Sequence, residues 1–200
     1  MEKALIDSVM PKSIQFIKSA VLAKDYPVHN MAEVAIAGRS NAGKSSFING
    51  LAKSKIAKVS STPGKTRLLN FFNMEDSYVL TDMPGYGFAA RSGNELREWQ
   101  QMIETYLTTR ENLKGLILVM DIRRSWTEDE EIMKRFSERE GFPIAVVLAK
   151  ADKLSYSQVL QAVAKIKKVT GLSAVFASSA TKKEGAQAVE DYIYENWIKE

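Results

Sequence analysis

Residues 34–50 read VAIAGRSNAGKSSFING: an apolar run opens into a glycine-containing loop and restarts as a helical pattern. The run ending at Gly38 has the character of a buried strand, and the pattern from Lys44 onward that of a helix. Glycine has no Cβ, so Gly38 and Gly43 allow backbone angles and close approaches that other residues forbid. A strand, a tight loop and a helix in that order begin a βαβ unit, whose strands run parallel. The loop then lies at a strand's carboxyl end, where open α/β sheets bind their ligands.

The rest of the chain repeats this alternation. GLILVMDI (115–122), PIAVVLAK (143–150) and SAVFASS (173–179) are nearly continuous in apolar residues, as strands covered on both faces must be. SIQFIKSAV (13–21) adds a strand near the N-terminus. Helical patterns occupy 44–52, 94–110, 127–139, 155–169 and 185–198. In the second, Leu96, Trp99, Ile103, Tyr106 and Leu107 follow the helical period and are expected to face the sheet. Only RLLNFFNMEDSYVLTDM (67–83) breaks the rule, because two strand-like runs flank the turn residues MEDS. The expected fold is α/β: a doubly wound, mostly parallel sheet with one antiparallel hairpin strand. Its 200 residues suit a single domain, a main body over about 30–200 preceded by a strand segment at about 13–22.

Composition narrows the setting. The chain has no cysteine, which excludes disulfides and thiolate metal sites. No apolar run is long enough to span a bilayer, and MEKALIDSVMPKS is too polar for a secretory signal, so a cytoplasmic protein is expected. Lys and Arg number 28 against 24 Asp and Glu. That mild excess permits an RNA-rich partner without marking a dedicated nucleic-acid binder.

Gly38 to Ser45, GRSNAGKS, satisfies G-x-x-x-x-G-K-[ST] in the strand–loop–helix context this motif requires. Backbone N–H groups of residues 41–46 can turn inward on a phosphate at the positive end of the helix. Lys44 supplies a charge for β- and γ-phosphates, and the Ser45 hydroxyl a hard ligand for Mg²⁺. The candidate phosphate contacts are Gly38, Arg39, Ser40, Asn41, Ala42, Gly43, Lys44, Ser45 and Ser46. Downstream, YVLTDMPG brings a strand to Asp82, a carboxylate suited to Mg²⁺ through water. Met83 and Pro84 lead to Gly85, whose N–H can meet a γ-phosphate. Between the two lies SSTPGKTRLLNF (60–71), where Thr62 and Thr66 both qualify chemically as a further Mg²⁺ ligand.

The base is read from a third segment. VVLAKADKL ends a strand at Ala149, Lys150, Ala151 and Asp152. A carboxylate accepts two hydrogen bonds from guanine N1–H and N2–H₂, a pair that adenine lacks, so Asp152 would select guanine. The aliphatic stem of Lys150 can lie along the base. SSATKKEG (178–185) follows another strand and offers backbone N–H groups to guanine O6. Its register admits alignment on Phe176 or on Gly185; the second is favoured and gives Ser178, Ser179 and Ala180.

The ordered set GxxxxGKS, DxxG, KxD and SSA resembles the P-loop GTPases of the TRAFAC class. AGRSNAGKSS, TPGKTRLLNFF, DMPGYGFA and MDIRR resemble the EngB (YihA/YsxC) family more closely, over about residues 13–198. The resemblance implies a P-loop GTPase fold that binds GTP and GDP with Mg²⁺ and hydrolyses GTP slowly. It further implies a molecular switch in large ribosomal subunit assembly, needed for normal cell division and septation. The implied partner is that subunit or its precursor rRNA; no membrane is involved, and a monomer is expected. By the same resemblance, Gly64, Lys65, Thr66, Arg67 and Leu68 make switch contacts, with Thr66, Ser45 and Asp82 as the Mg²⁺ ligands.

Two positions depart from the pattern. The usual base reader is N-K-x-D, or T-K-x-D in this family, and here Ala149 stands first. Alanine has no side-chain hydrogen bond with which to tie the base loop down, so Ala149→Thr is expected to bind nucleotide more tightly. Tyr86 follows DMPG where signalling GTPases carry a water-orienting glutamine. Catalysis would then rest on Lys44 and on Asn41, the latter suggestive of relatives that bind K⁺ through an asparagine there. Arg39, Arg67 and Arg91 are available cations with no assigned role as an arginine finger.

Two other classes compete. A small-molecule P-loop kinase shares GxxxxGKS but leaves KxD unexplained. An RNA-binding assembly protein with a structural nucleotide would use AKSKIAK (52–58), IRR (122–124), KIKK (165–168) and TKK (181–183). His29 is expected in a loop, Trp126 beside a helix start and Trp197 in the core.

Overall fold

A computed structural model describes residues 14–54, 56, 57, 68–86 and 93–199, with the side chains of 93–96 excepted. Among these residues seven strands form one sheet: β1 (Ile14–Ala20), β2 (Glu33–Gly38), β3 (Leu69–Met74), β4 (Tyr78–Asp82), β5 (Leu113–Asp121), β6 (Ile144–Ala149) and β7 (Val175–Ala177). Their order is β1-β3-β4-β2-β5-β6-β7. The strands β4, β2, β5, β6 and β7 pair in parallel, whereas β3 runs antiparallel to both β1 and β4. One reversed hairpin strand in a parallel sheet is the architecture expected from 67–83. Residues 75–77 make its turn, with Glu75 and Asp76 both at positive φ.

Among the described residues five helices cover the sheet: α1 (Lys44–Leu51), α2 (Gly93–Thr109), α3 (Glu128–Glu140), α4 (Tyr156–Thr170) and α5 (Ala186–Ile193). Successive strand residues point to opposite faces, which makes the winding double. Val34 and Ile36 of β2 meet Phe47, Ile48 and Leu51 of α1 and Val189, Ile193 and Trp197 on one face. Ala35 and Ala37 meet Met102, Ile103, Tyr106 and Leu107 of α2 on the other, with Met133 of α3. Met120, Val146 and Leu148 pack with Ile166 of α4. Trp99 also packs on this second face as expected; the side chain of Leu96 lies outside the described residues.

Helix starts follow local chemistry. Ser155 and Gln158 form a reciprocal capping box at α4, the Ser155 N–H donating at 2.9 Å and the Gln158 N–H at 3.4 Å. At α3 the Thr127 N–H donates to Glu130 at 3.0 Å, and four acidic residues occupy the first turn, where the helix dipole favours negative charge. Gly141 and Gly171 end α3 and α4 at φ 78° and 73°.

Two boundaries differ from expectation. β7 stops at Ala177: the Ser178 N–H still donates to Leu148 O of β6, but Ser179 pairs with Glu184 instead of with β6. The last expected helix ends α-helically at Ile193 and continues as a wider π-helical turn over Tyr194–Ile198. β1, the additional strand expected at 13–21, lies at the sheet's edge with Phe16 and Ile17 exposed. Among the described residues no helix is long and apolar enough to cross a membrane.

Candidate nucleotide site

The loops after β2, β4, β6 and β7 all open at the carboxyl edge of the sheet, so one end of the molecule gathers every described motif. Gly38 closes β2 against Val119, whose carbonyl oxygen would lie 2.5 Å from any Cβ added there. The chain then turns through Asn41 (φ 64°) and Gly43 (φ 110°) into α1, with the Ala42 N–H bonded to Arg39 O at 3.0 Å. Positive φ at both residues makes the loop a concavity of backbone N–H groups. No acidic residue occupies the first turn of α1, and Ser45 and Ser46 stand there half-buried.

Lys44 and Asp82 are both buried, and the ammonium donates to the Asp82 carboxylate. The register that sets Ile36 beside Asp82, extended by the Met83 N–H to Ile36 O at 3.0 Å, delivers the carboxylate to this loop. Pro84 and Met83 are buried behind it. Gly85 passes so near that an added Cβ would lie 3.1 Å from Ser40 Oγ and 3.2 Å from Ser40 N. Tyr86 then zips onto the phosphate-type loop: Ser40 N–H donates to Tyr86 O at 3.0 Å and Tyr86 N–H to Gly38 O at 3.3 Å.

The Tyr86 side chain turns away from this loop. Its buried hydroxyl donates to Glu130 at 3.0 Å, and burial followed by the Glu130 charge pushes its pKa far up. Arg39 reaches the same helix start, 3.3 Å from Asp129. Tyr86 therefore joins the loop after β4 to α3.

On the far side, Ala149 is buried with its Cβ 3.0 Å from the position of a Cβ on Gly43. Lys150 is left-handed at φ 64°. Its stem runs past Gly43, and its ammonium donates to the Asn41 carbonyl at 2.7 Å. The same ammonium lies 3.1 Å from Asp121, which Arg123 grips through Nε at 2.9 Å and Nη2 at 2.6 Å. The Arg123 contact holds the Asp121 carboxyl well below the usual carboxylate range. Asp121, in MDIRR at the end of β5, carries no role that the sequence alone assigns. Only the strand register, which pairs Asp121 with Ala149, reveals its place.

Asp152 follows in a short 3₁₀ turn, Ala151–Lys153. The Ser179 hydroxyl donates to its carboxylate at 2.9 Å, and Lys153 lies 3.2 Å from it. The Ser179 bond, more than any other influence, lowers the Asp152 pKa. Ala151 N–H donates to Ser178 O at 3.0 Å, and Ser178 N–H to Leu148 O at 2.9 Å. Ser178 Oγ caps Glu184 O at 3.0 Å, leaving Ala180 exposed at the loop's tip. Gly185 closes the loop at φ 83°, so tight that a Cβ would fall 2.1 Å from Ala177 O.

Leu68 is exposed at the entrance to β3. Gly64, Lys65, Thr66 and Arg67 lie outside the described residues, as do Thr62 and Arg91. Among the described residues no group of three or more His, Cys, Asp or Glu is placed to hold a metal. A single carboxylate, Asp82, with the Ser45 hydroxyl is a fitting donor set for Mg²⁺, which keeps several waters and shares substrate phosphates. His29 and the two tryptophans fall elsewhere: His29 beside buried Glu33 at 3.3 Å, Trp126 donating to Glu131 at 2.8 Å, and Trp197 in the core.

Comparison with known proteins agrees with this geometry. The family described as 50S ribosome-binding GTPase matches residues 33–150. A probable GTP-binding protein EngB of Bdellovibrio bacteriovorus is 78% identical over 200 residues, covering 100% of both chains. That of Pelotomaculum thermopropionicum is 43% identical and covers 94% of this chain and 96% of its own. A crystal structure of a probable GTP-binding protein engB superposes with a TM-score of 0.67 at 22% identity, over 82% of this chain and 97% of that one. Aquifex aeolicus Era, bound to GDP and AlF₄⁻, gives 0.70 at 24% identity, over 86% and 58%. At such identities the two structures speak for the fold. The chain, with its strand–loop–helix phosphate motif on a mostly parallel sheet, belongs to the EngB family of GTP-binding proteins, among the P-loop GTPases.

Proposed function

We propose that this protein is a Mg²⁺-dependent GTP switch acting in assembly of the large ribosomal subunit, with slow intrinsic hydrolysis. The observation that carries this reading is the gathering of three loops at one sheet edge: Lys44 with Asp82, Lys150 across Gly43 and Asn41, and Asp152 with Ser179. In this reading Gly38–Ser46 wraps the phosphates, Lys44 faces the β- and γ-phosphates, and Ser45, Thr66 and Asp82 hold Mg²⁺. Bound there, Mg²⁺ would neutralise phosphate charge. Met83, Pro84 and Gly85 would follow the γ-phosphate, with Gly64 to Leu68 closing from the other side. Asp152 reads guanine N1–H and N2–H₂, flanked by Ala149, Lys150, Ala151, Ser178, Ser179 and Ala180.

The slow rate is argued from Tyr86, whose hydroxyl is engaged with Glu130 and offers no paired donor and acceptor to a water. Turnover would rest on Lys44 and Asn41, with K⁺ as a cation beside Asn41; equal turnover in Na⁺ and K⁺ would dismiss the potassium role. The family description, 50S ribosome-binding GTPase, supports the ribosomal partner. Roles in cell division and septation, a cytoplasmic location and a monomeric state belong to the same proposal.

Sedimentation with large ribosomal subunits and their precursors tests it. Retention with a non-hydrolysable GTP analogue and release with GDP is expected. Retention that ignores the nucleotide but falls steeply with salt would favour a passive RNA-binding protein instead.

A further inference from the structure

The loop that carries Asp152 must stay seated on the phosphate-type loop, or base and phosphates cannot be held at once. Ala149, packed against Gly43, brings a methyl group and no hydrogen bond to that junction. The side-chain link is made by Lys150, whose ammonium reaches the Asn41 carbonyl at 2.7 Å. A lysine is a poor strap by itself: its long stem is flexible, and holding it in one rotamer costs side-chain entropy. Here it is also left-handed at φ 64°, a backbone state that survives only where the surroundings fix it.

Those surroundings are supplied from β5. Asp121 is the strand neighbour of Ala149, and its carboxylate stands 3.1 Å from the Lys150 ammonium. The carboxylate is not free to swing toward solvent. Arg123 holds both of its oxygens, at 2.9 and 2.6 Å, and the Arg123 backbone N–H adds a third bond at 3.1 Å. Asp121 is buried while the Arg123 side chain is half exposed, so the chain of contacts dips below the surface at Asp121 and returns to it: Arg123, Asp121, Lys150 and the exposed Asn41. Each link is charge-assisted, and such bonds are the stronger ones.

We propose that Asp121, braced by Arg123, is a positioning residue for the bound guanine nucleotide. It holds Lys150 across the phosphate-type loop and so sets how long nucleotide stays. The role rests on reading residues 149–152 as the base loop. Asp121 itself touches neither base nor phosphate. Asp152 chooses the base; Asp121 keeps the chooser in place. The two effects are therefore separable: loss of Asp121 quickens release without altering the preference for guanine, and loss of Asp152 abolishes the preference.

The test is stopped-flow release of a fluorescent N-methylanthraniloyl GDP in Mg²⁺, with GDP-against-ADP competition. It is run on the full chain and on Asp121→Ala, Arg123→Ala and Asp152→Ala. Asp121→Ala is expected to release nucleotide about tenfold faster and Arg123→Ala about threefold faster, each keeping the wild-type ratio of GDP to ADP affinity. Adding Ala149→Thr, which places a hydroxyl at the same junction, is expected to cut the Asp121→Ala effect to about threefold. Arg123 is a surface side chain, so its variant carries the test even where Asp121→Ala folds poorly.

Wild-type release from both Asp121→Ala and Arg123→Ala, with selectivity lost in Asp152→Ala, overturns the positioning role and leaves the base reader standing. The positioning role is equally overturned if Ala149→Thr tightens GDP binding in the otherwise wild-type chain yet leaves the Asp121→Ala acceleration undiminished, which would mark a general loosening of the fold. Selectivity intact in Asp152→Ala overturns the reading of the base loop itself, whatever Asp121 does.

Discussion

Glu33 is fully buried at the start of β2, at the sheet edge opposite the nucleotide loops. One of its oxygens accepts from Thr81 and Tyr106, each at 2.6 Å, and the other from Arg110 at 2.7 Å. Removing one partner of a buried, hydrogen-bonded ion pair strands the rest, so Glu33→Ala is expected to cost about 3–5 kcal/mol in urea denaturation. A loss under about 1 kcal/mol would show that Arg110 finds water instead. At the other edge, Ala149→Thr is expected to tighten GDP binding by about threefold to tenfold, the worth of one added hydrogen bond. A titration showing no gain would mean that Gly43 leaves the hydroxyl no usable geometry. The nucleotide-side residues are legible in the sequence because GKS, DxxG and KxD are local spellings of a chemical task. Glu33 and Asp121 are not, since each has a defining partner that only the fold brings near: Tyr106 is 73 residues from Glu33, and Lys150 reaches Asp121 only through strand register.

Strands and helices are legible from periodicity wherever one period dominates. Both hairpin strands, the four buried runs and all five helices fall within a few residues of their expected bounds. After β7 the boundary differs because Ser179 pairs with Glu184 rather than with β6. The π-helical turn over Tyr194–Ile198 is a second boundary that differs. Trp197 there seats its indole on β5, and a Cβ on Gly115 would lie 2.6 Å from Trp197 Cε3. Gly115→Ala is therefore expected to unseat the C-terminal turn and cost about 1–3 kcal/mol, as overpacking does. The accompanying red shift in tryptophan emission checks the cause. Unchanged emission with unchanged stability would mean that the turn shifts without loss of packing.

The whole molecule divides its labour between the two edges of one sheet. The amino edge is tied by Glu33, and the carboxyl edge carries loops that the parallel register brings together from residues 38–46, 82–86, 149–152 and 178–180. That convergence follows from the fold class, which is why the sequence motifs point to one site before any distance is measured. It also makes the central claim testable in solution: these loops form one guanine-selective nucleotide site. The direct measurement is an equilibrium titration of the protein with GDP, GTP, ADP and ATP in Mg²⁺, repeated with Asp152→Ala. Guanine nucleotides are predicted to bind at least about a hundredfold more tightly than adenine nucleotides, with that margin lost in the variant. Equal affinity for both bases in the wild-type protein would contradict the claim, and would mean that Ala149 leaves the base loop unable to read.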